Sequence, residues 1–252
     1  MEKVRVEEMT SAEFRDVLNV CDMILIPIGS IEEHGTHGKF LFDTVIAHEC
    51  AYRLGCLTHT PVAPTIPIGQ CRNLMGFPGG ASLDTELVAD LLLEVAEGYV
   101  SDGVRRILFV NSHGGNGFAV KMACGELWER YGVLATQAEW YDVIAEHSRY
   151  TRNDHGGEYG TSVVMALDES QVDLSQAKTV PLKNPSENLL RGDYLTYRGV
   201  NVSLPLPMDY YTPAGDLGPE AANATVRQGR EMVDIYIENT VKIIEEMKKI
   251  LL

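Results

Sequence analysis

Five of the seven histidines in this 252-residue chain (His34, His37, His48, His113 and His155) stand in or beside three short loops rich in glycine and acid. The first loop reads Gly29-Ser30-Ile31-Glu32-Glu33-His34-Gly35-Thr36-His37, and Asp43 follows it. The second is Asn111-Ser112-His113-Gly114-Gly115-Asn116, and the third is Asp154-His155-Gly156-Gly157-Glu158. Imidazole and carboxylate without thiolate form a borderline-hard ligand set that suits Zn²⁺, Mn²⁺ or Fe²⁺. Three carboxylates would offset two dications, and a shared carboxylate is the usual way for two metals to sit ~3.5–4 Å apart. Any one of these histidines alone reads more readily as a loop residue bonded to backbone. As a set with acids at hand, they read as a metal centre.

Water held by two cations loses a proton near neutrality, since a single zinc already lowers its pKa to ~7. The resulting hydroxide can attack an sp² carbon whose oxygen one metal polarises. The backbone N–H groups of Gly114, Gly115, Gly156 and Gly157 are candidates to bind the developing oxyanion, because glycine lets the chain come close. His155 is the candidate proton carrier to a leaving group, with a helix-capping role as its alternative. Gln70, Arg72 and Asn73 offer a polar wall for substrate.

Elements must bring these loops together. Continuous apolar runs predict buried strands at Met23 to Ile28 and Arg106 to Val110, and a third strand is predicted from Val133 to Ala138. Helices are predicted over Asp43 to Leu54, Asp84 to Tyr99 (with Leu87, Leu91 and Val95 on one face) and Asn116 to Arg130. Another opens near Glu158 and runs through Leu167, and a long last one starts at Pro219. Strands alternating with helices argue a mostly parallel sheet covered on both faces, with ligands at the strand C-termini. The loops follow those ends. Residues 181 to 218 break the pattern with five prolines and with Tyr194, Tyr197, Tyr210 and Tyr211. This composition suits an ordered excursion, either a lid over the site or an interface with a neighbouring subunit. The whole of 1–252 is read as one domain.

Composition narrows the partners. Thirty-six acids against 21 bases give a net charge of −15, which disfavours nucleic acid and anionic lipid surfaces. A mean hydropathy of −0.08 and the lack of any apolar stretch of about 18 residues argue against a membrane span. The charged start MEKVRVEEMTSAEF does not read as a secretory signal. Five scattered cysteines without C-x-x-C read as reduced thiols of a cytoplasmic protein, with Cys50 and Cys56 as small buried hydrophobes. A small polar metabolite is the expected partner.

The stretch IPIGSIEEHGTHGKFLFDT resembles the signature of the creatininase (creatinine amidohydrolase) family, Glu-x-His-Gly-x-His with an Asp nine residues after the first His. NSHGGN resembles the second block, DHGGEYGTS the third, and GFPGGASLD the Phe-Pro-Gly segment, all in family order between residues 24 and 162. The resemblance implies a three-layer α/β/α sandwich with two divalent ions per chain, zinc or manganese and sometimes iron. It implies that Glu32 and His113 hold one metal and His34 the other, with Asp43 bridging. Glu33 would support the site or face solvent, and His37 would support it. Three positions depart from the pattern. Gly115 replaces a glutamate that creatininase itself has two residues after His113, and Gly160 replaces the usual glutamate before Thr-Ser. Glu158 is the acid left in that loop and is expected to complete the second metal site and assist catalysis. Leu74 stands where relatives often have a histidine. The metal core is thus retained while the substrate wall differs.

The function implied is hydrolysis of a cyclic amide or related C–N bond, with creatinine itself not the first choice. Ring-opening C–C hydrolysis of a cyclic polyhydroxy diketone of the dehydro-inosose type is the main alternative. Formamides of pyrimidine intermediates, short peptide precursors and a non-catalytic metal-binding protein also stay open. The resemblance further implies a homo-oligomer, often a hexamer.

Overall fold

A computed structural model describes residues 3–150, 154–178, 180–192, 195–218 and 220–252. In chain order its elements are α1 (Ser11–Leu18), β1 (Met23–Ile28), α2 (Phe42–Thr58), α3 (Thr85–Ser101), β2 (Arg106–Asn111), α4 (Gly117–Tyr131) and β3 (Leu134–Glu139). There follow α5 (Trp140–His147), α6 (Glu158–Leu167), β4 (Leu189–Arg191), β5 (Leu195–Tyr197), β6 (Val200–Asn201), α7 (Met208–Tyr211) and α8 (Val226–Lys249).

β1, β2 and β3 pair in parallel and in that order, with Met23 opposite Arg106 and Arg106 opposite Leu134. Val62 and Ile66 bridge in parallel to Leu25 and Ile28, so an extended segment runs along the other edge of β1. Pro27 sits in β1 without an N–H to give, and its carbonyl accepts from Ile66. Alternate strand residues face opposite cores, as period-2 geometry requires. Met23, Leu25, Leu108 and Val110 pack under α2, α5, α6 and α8, with Ile46, Leu54, Ile144, Val163 and Tyr236. Ile24, Ile26, Ile28, Ile107 and Phe109 pack under α1, α3 and α4, with Phe14, Val88, Leu92 and Leu127. The result is the three-layer α/β/α sandwich with a parallel sheet.

The three main strands lie within one residue of their predicted bounds, and α6 matches. Other elements differ. The buried face of α3 is Val88, Leu92 and Ala96, flanked by Ala89 and Leu93. Leu87 is 52% exposed, while Leu91 and Val95 pack at the margin. The apolar arc of this helix is wide, and its centre lies one residue beyond the i+4 row read from sequence. α8 begins at Val226, not at 219. Thr225 caps it by accepting from the Gln228 N–H, and Pro219 lies outside the described residues. Cys50 is buried as expected, but Cys56 is exposed on the outer face of α2. α1, closed by a Thr10–Glu13 capping box, and α5 were not foreseen. The 181 to 218 excursion carries a small antiparallel sheet, β4-β5-β6, and α7. Tyr194 lies outside the described residues. Among the described residues, no helix is long and apolar enough to cross a membrane.

Candidate metal centre

The C-terminal ends of β1 and β2 deliver Glu32, His34 and His113 to one point, and the first turn of α2 delivers Asp43. Glu32, His34, His113 and Asp43 are all buried. His113 Nδ1 lies 3.1 Å from Glu32 Oε1 and 3.2 Å from Asp43 Oδ2. His34 Nε2 lies 3.5 Å from Asp43 Oδ1 and 3.8 Å from Glu32 Oε1. The two oxygens of Asp43 therefore face two different histidines. Ser30 Oγ donates to Asp43 Oδ2 at 2.8 Å, and Ser112 Oγ donates to the Asp43 carbonyl at 2.6 Å. These bonds fix the side chain and the start of α2.

His155 arrives from the loop before α6. Its Nδ1 is 3.6 Å from Glu32 Oε1, and its Nε2 is 3.2 Å from Glu33 Oε1. The His34 ring stacks between Phe42 and His155, at 4.2 and 4.6 Å between centroids. Two groups of donor atoms result, Glu32–Asp43–His113 and Glu32–His34–His155, each with its atoms within 4.8 Å of one another. Both oxygens of Glu32 and the Nδ1 of His34 are buried without a hydrogen-bond partner. Buried polar atoms left unpaired are costly, and a cation between these groups would satisfy the Glu32 oxygens. The donor set fits a metal.

The outer nitrogens of two imidazoles are engaged. His113 Nε2 is 2.7 Å from the Gln70 carbonyl, so that nitrogen carries a proton and Nδ1 is turned to the carboxylates. Glu33 does the same for His155 and also accepts the Gly35 N–H at 2.9 Å. Fixing the far nitrogen orients an imidazole towards a metal and raises its basicity. Burial opposes charge on His113, but Glu32 and Asp43 outweigh it and hold the imidazole well above its usual range. Burial likewise opposes charge on His155, which Glu33 and Glu32 nevertheless raise to about 9. Burial alone would raise the Asp43 carboxyl, yet His34 and His113 hold it below the usual range.

The other sequence candidates fall in different places. His37 is buried behind the site, with Nε2 3.0 Å from Thr161 Oγ1, and burial lowers its pKa. His48 bonds Thr65 instead. Glu158 does not join the donor groups. Its Oε1 accepts from Gln228 Nε2 at 2.8 Å, towards α8. Gly114, Gly115 and Asn73 line the cavity of about 380 Å³ over the donors. Gly157 caps α6. Arg72 pairs with Asp84 and lines an adjoining groove of about 610 Å³ that shares Asn73, Arg191 and Met208 with the cavity. Gly115 has no room for a side chain, because a Cβ there would collide with the Gln70 carbonyl and His113 Nε2.

Sequence reasoning placed Asp154 in the third loop without a role and missed Trp140, Tyr141, Arg191 and Leu217; all five line the cavity. Trp140-Tyr141 follows β3 directly, and a third strand end was the available signal. Trp140 Nε1 donates to the Ser112 carbonyl at 3.2 Å. Burial and Glu139 raise the Tyr141 phenol, so it stays protonated. The 181 to 218 excursion thus walls the site of its own chain.

A parallel sheet with histidine and carboxylate donors clustered at its strand ends defines an α/β/α domain with a candidate metal centre. The profile of the creatininase family, described as creatinine amidohydrolase, matches residues 7–244, and the chain belongs to this family. A 3-dehydro-scyllo-inosose hydrolase of Thermotoga maritima is 29% identical over 174 residues, covering 68% of this chain and 55% of that protein. The chain thus spans little more than half the length of that relative. A mycofactocin precursor peptide peptidase of Mycolicibacterium smegmatis is 32% identical over 177 residues, covering 67% of this chain and 68% of that protein. A crystal structure of creatinine amidohydrolase superposes over 100% of both chains with a TM-score of 0.82 at 20% identity. Similar creatininase structures include one titled as a manganese form and one as a Zn-Zn type.

Proposed function

We propose that the chain is a dinuclear metal-dependent hydrolase that cleaves a C–N amide bond of a small polar metabolite, with zinc or manganese as its ions. The supporting observation is the Glu32 carboxylate, both oxygens buried without a hydrogen-bond partner, converging with His34, Asp43 and His113 beneath one cavity. Glu32, Asp43 and His113 would hold one ion and His34 and His155 the other, with Asp43 touching both. In this reading His155 is a metal donor rather than the proton carrier expected from the sequence, and Glu158 stays outside the site, its carboxylate turned to Gln228. Two divalent ions, when bound, supply an acidified water and polarise the substrate oxygen.

The protein's own groups do the rest. Gln70 and Glu33 hold the outer imidazole protons and so keep the inner nitrogens aimed inward. The Tyr141 hydroxyl and the Gly114 and Gly115 amides border the cavity and are the donors for negative charge on the substrate oxygen. Gln70, Asn73 and Arg191 give the adjoining groove a polar mouth suited to a hydroxyl-bearing or anionic substrate.

Similarity to the Thermotoga hydrolase favours a second reading, ring-opening C–C hydrolysis of a cyclic polyhydroxy ketone. The metal-loaded protein is to be screened against cyclic amides, short peptides and cyclic diketones. Turnover of an amide class, lost on chelation and regained with Mn²⁺ or Zn²⁺, is the expected outcome. Exclusive opening of the diketone would replace the first reading by the second. Turnover that survives complete chelation would remove both.

The chain is also read as a homo-oligomer in a cytoplasmic setting. Leu190, Tyr197 and Val200 in the small sheet are all exposed, and apolar exposure of this kind suits burial against another subunit. Light scattering at ~0.15 M salt is expected to give a multiple of the 27.8 kDa chain mass; a monomer would dismiss the assembly.

A further inference from the structure

Asp154 lines the cavity, and neither the donor groups nor the hydrolytic scheme has used it. Its Oδ2 accepts the Gly160 N–H at 2.6 Å, which anchors the carboxylate to the first turn of α6. Its Oδ1 is buried with no hydrogen-bond partner. An unpaired carboxylate oxygen in the interior is strongly unfavourable unless a positive group meets it.

The donor groups are unequal in carboxylate. Glu32 and Asp43 both belong to the group at His113, whereas the group of His34 and His155 has the shared Glu32, with Asp43 Oδ1 3.5 Å from His34 Nε2. Zinc takes four ligands in structural sites and three protein ligands plus water in catalytic ones, and carboxylate oxygen suits manganese equally well. Space for an acid exists beside the Phe42 ring and Asp154. A Cβ added at Gly160 would lie 3.4 Å from Phe42 Cε1 and 3.9 Å from Asp154 Oδ2, both ordinary contacts. The same Phe42 ring is the one stacked on His34. The Asp154 carboxylate therefore borders the room left open by the bare Gly160, near the Phe42 ring that stacks on His34.

We propose that Asp154, through Oδ1, supplies the carboxylate ligand of the second ion, the one held by His34 and His155. This assignment rests on the two-ion reading above. It gives Asp154 the part that sequence reasoning assigned to Glu158.

The test uses chelator-stripped full-length protein titrated with Mn²⁺ alone, followed by calorimetry and by electron paramagnetic resonance, which detects spin coupling between neighbouring Mn²⁺ ions. Wild type is expected to bind two coupled ions. Asp154→Asn keeps an acceptor for the Gly160 N–H and presents an amide NH₂ where Oδ1 stood. It should hold the first ion unchanged, bind the second about 100-fold more weakly, at the upper end of the loss seen when a ligand's supporting partner is removed, and lose the coupled signal. Asp154→Ala combined with Gly160→Glu should regain the second ion, because the glutamate enters the same space. Two unweakened ions in Asp154→Asn would overturn the assignment while leaving the two-ion reading intact. Equal loss of both ions would also overturn it, since Asp154 would then merely shape the loop. A wild-type protein that binds a single ion would overturn the two-ion reading, and this assignment with it.

Discussion

Asp43→Ala is expected to lose both ions together and to lower kcat/KM by at least ~10³, beyond the loss of a single oxyanion donor. The reason lies in the disposition of its oxygens, one 3.5 Å from His34 Nε2 and the other 3.2 Å from His113 Nδ1. Glu32 stands between the same two imidazoles, its Oε1 3.1 Å from His113 Nδ1 and 3.8 Å from His34 Nε2. The metal-free variant should also be less stable. A buried imidazolium that loses its carboxylate costs about 3–5 kcal/mol, and Ser30 Oγ loses its acceptor. Asp43→Asn keeps the Ser30 bond and removes only the charge, so it separates the metal effect from the packing effect. Elemental analysis after gel filtration reads the stoichiometry. One ion retained at full affinity in Asp43→Asn would show that the aspartate does not bridge.

Metal uptake should release protons and strengthen with pH well above neutrality. His113 is held well above the usual imidazole range and His155 is raised to about 9, so both are protonated in the metal-free protein at pH 7. An ion needs the neutral nitrogen and must displace those protons. About two protons should leave per chain at pH 7, and the apparent affinity should keep rising until pH passes about 9. Calorimetry in buffers of different ionisation enthalpy counts the protons directly. An affinity that levels off at pH 7 would contradict the carboxylate environment described for these imidazoles. The metal-free fold follows the opposite trend. A raised imidazole pKa contributes stability that is complete below its unfolded value near ~6.5 and is lost as pH rises through about 9. The depressed Asp43 contributes stability above the ordinary carboxylate range and loses it only in strong acid.

The sheet was readable because parallel strands buried on both faces write themselves as continuous apolar runs. MILIPI and RILFV could hardly be anything else, and the loops that follow them could be located from chain order alone. Glu32, His34, Asp43 and His113 were legible for the same reason: all four follow directly from a strand or open a helix. Asp154 was not. Its two neighbours in sequence, His155 and the glycines, drew attention to the loop, but which acid turns inward depends on the path of four residues before α6. Glu158 sits one helical turn too far along, with Gln228 of α8 waiting for it. That contact spans 70 residues of sequence, and no local pattern announces it. Arg191 and Leu217 were hidden likewise, since a proline-rich excursion carries no periodicity from which to say which of its side chains faces a cavity.

The two bare glycines near the donors are unequal in what they permit. At Gly115 a side chain would displace the Gln70 carbonyl or the His113 ring that it anchors, whereas at Gly160 a Cβ meets nothing closer than 3.4 Å. For a chain whose second acid is Asp154, as proposed, position 160 is thus an open door for that carboxylate and position 115 a closed one. Moving it to the position after His113 and Gly114 would demand a new partner for the histidine at the same moment.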